Sequence, residues 1–232
     1  DTIPIKSQFR LSVNTVLNLI KHHNEKEIDE ILSKSFHSYQ KYGRNFLKIE
    51  NAVSHNAFDN HKRKLEKMGY VKNNRLTEKG EFSSNIYSDE ILVGEVFSTE
   101  FYKQLNEYQM LMIVACLCYE ARERTEFYKN YPSHFVERLK KMLWAEDFFR
   151  GEKRFREIDS LTAIVHPCYH GRDLFKILES TSLLEGDVIR FLRQVIDKLS
   201  QIKSATQDRS LRDMLDNCQK LVNDCVKDFG IV

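Results

Sequence analysis

The amino-acid sequence predicts a mainly α-helical chain in which a small β-hairpin interrupts the helices early and a helical bundle follows. Three observations carry this. Apolar residues recur three and four positions apart along most of the chain, the period of a helix with one buried face. Only 3 prolines and 8 glycines stand in 232 residues, which permits long helices and disfavours an all-β fold of many turns. The one change of period falls near residue 70, where two short runs flank Asn73-Asn74.

Taken in order, Ser12 is an N-cap before Val13, Val16, Leu17 and Ile20, a helix that reaches Lys21-His22-His23-Asn24. A second helix carries Ile28, Ile31, Leu32, Phe36 and Tyr39 and frays near Gly43. A third covers Ala57 to Met68, with Phe58, Leu65 and Met68 inward, and Gly69 stops it. Tyr70-Val71-Lys72 and Arg75-Leu76-Thr77 form the hairpin, since two asparagines tolerate the positive backbone angles of a two-residue turn. Thr77 opens another helix, so helix, two-stranded wing and helix read together as a winged helix.

From Asp89 the pattern is helix after helix. Ile91, Leu92, Val96 and Phe97 mark one, and Met110 to Tyr119 is apolar on every side, as the central helix of a bundle should be. Pro132 and Ser133 start a long helix through Phe135, Leu139, Met142, Leu143 and Phe149. Pro167 and Gly171 bracket a break, after which Leu174, Ile177 and Leu178 resume. No low-complexity linker or repeat divides the chain. The expected regions are 1–87, the winged helix, and 88–232, the bundle, with a soft boundary near Tyr87.

Lys+Arg at 36 and Asp+Glu at 34 nearly cancel, so a net charge of +2 supplies no general attraction for polyanions. Any nucleic-acid contact must come from a local face. The 5 cysteines are odd in number and scattered, which points to reduced thiols and an intracellular, cytoplasmic protein. No apolar run approaches the roughly 18 residues of a membrane span, so no membrane partner is expected. Asp1-Thr2-Ile3-Pro4 lacks a starting Met and a signal-like pattern, and reads as the start of an excised or processed piece.

The most informative helix runs from about Leu184 to Ile202. Val188, Leu192, Val195, Leu199 and Ile202 are spaced 4, 3, 4 and 3, forming one apolar stripe. Opposite lie Arg190, Arg193, Gln194, Asp197 and Gln201, a ridge able to hydrogen-bond along a single strand. By pattern alone such a ridge is a solvated bundle face. Leu211, Met214, Leu215, Cys218, Leu221, Val222, Cys225 and Phe229 make the last helix amphipathic, its thiols acting as small hydrophobes. His166-Pro167-Cys168-Tyr169-His170 lacks the second pair a zinc site needs, and a helix-breaking loop accounts for it better. Tyr108, Tyr119, Tyr128 and Tyr131 are candidates for stacking on bases, though bundle aromatics are more often core. No phosphate-cradling GxxxxGK[ST] loop or DExH-like string is present.

The order of several segments resembles the C-terminal part of superkiller and exosome-helper DExH-box RNA helicases. IKSQFRLSVNTVLNLI, from Ile5 to Ile20, resembles the segment leaving the second RecA-like motor domain, with Val13 where Tyr is usual. EILSKSFHSYQ, from Glu30 to Gln40, KRKLEKMGYVKNNRLTEKGEFSSNIYSDEILVGEVFS, from Lys62 to Ser98, and CLCYEARER, from Cys116 to Arg124, resemble successive family segments, the last in bacterial-type members. LLEGDVIRFLRQVIDKLSQI, from Leu183 to Ile202, resembles the signature of the C-terminal bundle domain. The family often has a second basic residue where Gln194 stands and a Trp where Cys168 stands. Glutamine can bond a base edge but cannot pair with phosphate.

The resemblance implies a winged helix and a bundle that packs on RecA-like motor domains and contacts the translocating RNA single strand. Arg190, Arg193, Gln194 and Asp197 on the ridge, Glu120 and Arg122 after the central helix, and Lys62 and Lys64 on the wing-side helix are the expected nucleic-acid contacts. The space between Gln40 and Phe58 leaves no room for the arch of eukaryotic members. The chain would carry no cofactor and no ATPase of its own, ATP and Mg serving the parent motor. The rival reading is a winged-helix nucleic-acid-binding regulator with a helical oligomerisation tail, for which His61-Lys62-Arg63-Lys64 and Lys67 would be the recognition helix. A non-enzymatic docking scaffold is the third.

Overall fold

The structure is a computed structural model that describes residues 11–34, 53–120 and 125–227. It is mainly helical with one small antiparallel hairpin, in the order α1 (Val13–His22), α2 (Glu25–Ser33), α3 (Val53–Lys67), β1 (Val71–Lys72), β2 (Arg75–Leu76), α4 (Glu78–Ser84) and α5 (Glu90–Phe97). There follow α6 (Glu107–Cys118), α7 (His134–Ala145), α8 (Asp147–Arg150), α9 (Ile158–Tyr169), α10 (Leu174–Leu178), α11 (Glu185–Ala205) and α12 (Arg209–Val226). Two 3-10 turns, Glu100–Gln104 and Lys153–Glu157, precede α6 and α9. Phe36, Tyr39, Gly43, Arg122 and Phe229 lie outside the described residues, as do parts of the first, second and fourth segments that carry the family resemblance.

The chain divides into two compact units, Asp1–Thr99 and Glu100–Val232. In the first, Val16, Leu17 and Ile20 of α1 pack with Ile28 and Leu32 of α2, Phe58 and Leu65 of α3, and Tyr70 and Val71. Ser12 caps α1 by accepting from the Thr15 amide, and Asn24 forms a reciprocal capping box with Glu27 on α2. Gly69 ends α3 at φ +79°. Asn73 and Asn74, at φ 52° and 58°, make the two-residue turn that pairs Val71 with Leu76 and Lys72 with Arg75. Thr77 then caps α4 by accepting from the Gly80 amide at 3.2 Å.

The division between the two compact units falls at Thr99, and α5 belongs to the first. The buried Tyr70 hydroxyl donates to the Ile91 carbonyl at 3.0 Å and to Glu95 Oε1 at 2.9 Å. Lys79 sits over the Tyr70 ring and donates to the same carboxylate at 2.6 Å. Burial, and then the charge of Glu95, push the Tyr70 phenol far up, so it stays a donor.

In the second unit α6 is buried from Tyr108 to Leu117, and α7, α9, α11 and α12 pack around it. Asn106 and Gln109 form a capping box at its start, and Gln109 Nε2 also donates to the Phe135 carbonyl at 2.9 Å. An apolar surface on every side requires neighbours on every side, which is why this helix is central.

Two expectations are corrected here. The long helix from Ser133 stops at Ala145, and Phe149 sits on the separate helix α8. At about 100° per residue, an unbroken helix would carry Phe149 roughly a third of a turn off the Val136, Leu139 and Leu143 stripe. The extended Glu146 re-aims it onto Phe101, with ring centroids 4.8 Å apart. Likewise His166 to Tyr169 is the last turn of α9 and not a loop, with Pro167 inside the helix. The break comes only at Gly171, φ +65°, where the Gly171 amide donates to the Cys168 carbonyl and the Arg172 amide to the Pro167 carbonyl. That pair of bonds is a Schellman stop, and it compensates a helix end that proline has weakened.

A short two-stranded contact precedes α11. Phe127 bridges Thr181, the Tyr128 amide donates to the Ser180 carbonyl at 2.8 Å, and the Ser182 amide donates to the Glu126 carbonyl at 2.9 Å. The Thr181 hydroxyl donates to the same Glu126 carbonyl, and the Glu126 amide to the Ser182 hydroxyl.

Candidate nucleic-acid interface

Helix α11 presents the candidate face because its other side is fixed. Val188, Leu192, Val195, Leu199 and Ile202 are all buried, as the spacing predicts, and are joined by Phe191 and Ala205. Each such Val, Leu or Ile contributes roughly 1.5–3 kcal/mol, which holds the helix in register against α6 and α12. Register in turn leaves Arg190, Arg193, Gln194 and Asp197 exposed on one face, with Gln201 half-buried at its end.

Within that ridge the groups differ. Arg190 Nη2 pairs with Asp187 Oδ1 at 2.6 Å, one turn earlier. Because the guanidinium is more than half exposed, this pair is worth little to stability and mainly orients the side chain. Arg193 forms no ion pair among the described residues. The Gln194 carbonyl accepts from Cys118 Sγ at 3.4 Å, tying the end of α6 to the middle of α11.

A recess of about 190 Å³ opens at that junction. Glu120, Arg190 and Gln194 line it, together with Tyr119 and Phe191, whose rings meet edge to face with centroids 5.9 Å apart. The structure therefore brings Glu120 from after α6 to the Arg190 end of the ridge. Arg193 and Asp197 share the helix face but lie outside the recess, and Arg122 is outside the described residues. The sequence reading missed Asp187 and Phe191. Asp187 had a signal, an acid three residues before Arg190 on one helix face.

Lys62 and Lys64 stand elsewhere, on α3 in the first unit. Two residues apart on a helix, they do not share a face. Lys62 is half-buried with Nζ 3.4 Å from Glu25 Oε1, whereas Lys64 is exposed. The run His61 to Lys64 is thus divided between a packed side and a solvent side and does not form one basic stripe.

The tyrosines also separate. Tyr108 is buried, its hydroxyl has no partner among the described residues, and burial pushes its pKa up to about 12. Tyr131 is stacked on His166, centroids 4.4 Å apart and rings 7° from parallel. The Tyr108 ring is closed to a base, one face of the Tyr131 ring is taken by His166, and Tyr128 is exposed. Burial, and then the neighbouring His170, lower the His166 pKa. Among the described residues no three metal-ligating side chains come together, and no helix is long and apolar enough to cross a membrane.

The class defined here is a mainly helical domain whose longest described helix is buried along one side and carries a polar ridge on the other. Residues 73–227 match the model of the DSHCT (NUC185) domain, and the chain belongs to that family. DSHCT is a C-terminal domain of superkiller-type RNA helicases, which makes this chain an accessory helicase region. The match begins in the hairpin turn and takes in the second unit as far as Lys227. A comparison with curated proteins finds no match.

Proposed function

We propose that this chain is the accessory C-terminal region of an ATP-dependent 3′–5′ RNA helicase, of the bacterial type without an arch. Its first unit acts as a winged helix, and its bundle packs on the RecA-like motor domains of the same or a partner chain. Helix α11 contacts the translocating single strand. ATP and Mg serve the motor and bind no residue of this chain. Five free thiols, four of them buried, fit an intracellular, cytoplasmic setting.

The observation that carries the reading is the meeting of Glu120, Arg190 and Gln194 at one recess on the exposed face of α11. In this arrangement Arg190 and Arg193 hold phosphates, while Gln194 meets base edges and carries no charge. Glu120 and Asp197 accept from base amino groups or sugar hydroxyls and repel phosphates, which keeps the strand in one register. Arg122, two residues after Glu120 in the sequence, is a further strand contact in this reading.

The test is RNA binding over a range of salt by labelled-oligonucleotide anisotropy. Arg190→Ala/Arg193→Ala should weaken binding and flatten the salt slope by about 0.7 per lost phosphate contact on a single strand. Circular dichroism should stay unchanged, since both residues lie opposite the buried stripe. A loss confined to Lys62→Ala/Lys64→Ala, with the ridge pair silent, would refute the strand contact and favour the winged-helix regulator.

A further inference from the structure

Away from the ridge, the corner made by α7, α8 and the 3-10 turn Lys153–Glu157 holds an unusual set of groups. Trp144, at the end of α7, is 64% exposed, and Phe148 on α8 is 42% exposed. Most large aromatics in a folded chain are largely buried, so two exposed ones at one corner call for a partner. Beside Trp144 lies a recess of about 380 Å³ with Leu143, Phe149 and Phe155 in its wall and Arg150 and Arg156 at its edge.

The cations of this corner select the partner. From Glu146 to Glu157 four cations, Arg150, Lys153, Arg154 and Arg156, stand against four carboxylates, Glu146, Asp147, Glu152 and Glu157, so the selection rests on which cations are left unpaired and not on net charge. Glu152 accepts from the Arg154 amide at 3.1 Å. Arg150 is held in place by its Nε donating to the Trp144 carbonyl at 2.9 Å and by Asp147 at 3.0 Å. Lys153 and Arg156 are exposed and form no ion pair among the described residues.

We propose that this corner is a second contact for single-stranded nucleic acid, with a base stacked on the Trp144 indole and flanking phosphates held by Arg150, Lys153 and Arg156. An exposed indole beside fixed cations offers both halves of single-strand recognition, a π face for a base and positive charge for the backbone. A duplex fits worse, because its bases are already stacked on each other and offer no face to the indole. The site is independent of the α11 reading. Helix α11 packs on α6, α10 and α12, whereas this corner is built on α7, α8 and the turn before α9.

Trp144 is the chain's single tryptophan, so its emission reports this site and no other. The experiment titrates the whole chain with a short oligoadenylate, reading Trp144 emission and, separately, the anisotropy of labelled oligonucleotide. Saturable quenching is expected. Trp144→Ala should weaken binding about five- to a hundredfold, and Trp144→Phe should restore most of the loss, because stacking rather than shape is removed. Lys153→Gln/Arg156→Gln should lower the salt slope by about 1.4, roughly 0.7 for each phosphate contact on a single strand. The quench should persist in Arg190→Ala/Arg193→Ala, which separates failure of this site from failure of the ridge. Absent quenching, or Trp144→Ala binding like the unaltered chain, overturns the proposal. So does quenching by polyglutamate with none by oligoadenylate, which would make the corner a docking site for an acidic protein segment.

Discussion

Replacing Gly80 with alanine sets two opposed effects against each other. Gly80 lies in α4, where alanine is the better helix former by about 1 kcal/mol, so propensity alone favours the substitution. Yet a Cβ at this position would stand 2.1 Å from the Tyr70 carbonyl oxygen and 3.1 Å from its carbon. That carbonyl cannot yield easily. It accepts from the Thr77 amide at 3.0 Å and the Thr77 hydroxyl at 3.2 Å, and Tyr70 is anchored in the core. Relief needs a shift of about 1 Å in the helix or the hairpin, and overpacking of this kind costs about 1–3 kcal/mol or more. Because the carbonyl is fixed the cost lies toward the upper end, for a net loss of about 1–2 kcal/mol and a fall of about 0.5–1 M in the urea midpoint at an ordinary slope. The control is Gly186→Ala in the first turn of α11, where nothing lies within 4 Å of the added methyl. It should hold or raise stability by up to about 1 kcal/mol. The assay is urea unfolding followed by circular dichroism. A Gly80→Ala midpoint equal to or above that of the unaltered chain would refute the close approach of α4 to the hairpin.

Two further outcomes follow from the second unit. Asp208 accepts from the Tyr102 hydroxyl at 2.7 Å and from the Leu211 amide at 3.0 Å, and these bonds, Tyr102 first, hold its carboxyl below the ordinary range. A lowered folded pKa gives stability that is present above the unfolded value, about 3.9, and lost as pH falls through the folded one. Asp208→Asn should therefore flatten the acid limb of the urea midpoint below about pH 4, and an unchanged limb would discard the Tyr102 bond. For the thiols, burial pushes Cys218 up to about 12 and Cys116 higher still, while Cys118 is only half-buried. With Ellman's reagent near pH 8, Cys118 should react first and Cys118→Ser should remove the fast phase. Rapid labelling of Cys116 in the native chain would contradict the burial of α6.

What could be read from the sequence was what local chemistry decides. The Asn73-Asn74 turn, the caps at Ser12, Thr77 and Ser133, and the stripe from Val188 to Ile202 each depend on residues within a few positions of one another. Pro167 misled because a proline's local cost is visible while the Schellman bonds that offset it are made beyond it, at Gly171 and Arg172. The stop at Glu146 was hidden for another reason, since Phe149 is aimed by Phe101, far away in the chain. The ridge was legible on α11, but its meeting with Glu120 was not, because nothing local to either segment records it. Lys62 looked free in sequence and is held by Glu25 from another helix.

The small ladder between 126–128 and 180–182 has a consequence for the order of folding. Its partners Glu126 and Thr181 are 55 residues apart. Bringing them together costs about 3.5 kcal/mol of loop entropy plus a constant, whereas its four hydrogen bonds return about 1 kcal/mol each. A return of about 4 kcal/mol barely offsets that cost, so the ladder is marginal by itself and depends on the packing of α9 on α6 to keep the two segments close. The recess that joins Glu120 to Arg190 lies just beyond this seam, so it is completed late in folding. By the same balance the seam opens early, and the amides of Tyr128 and Ser182 should exchange with solvent before those of α6.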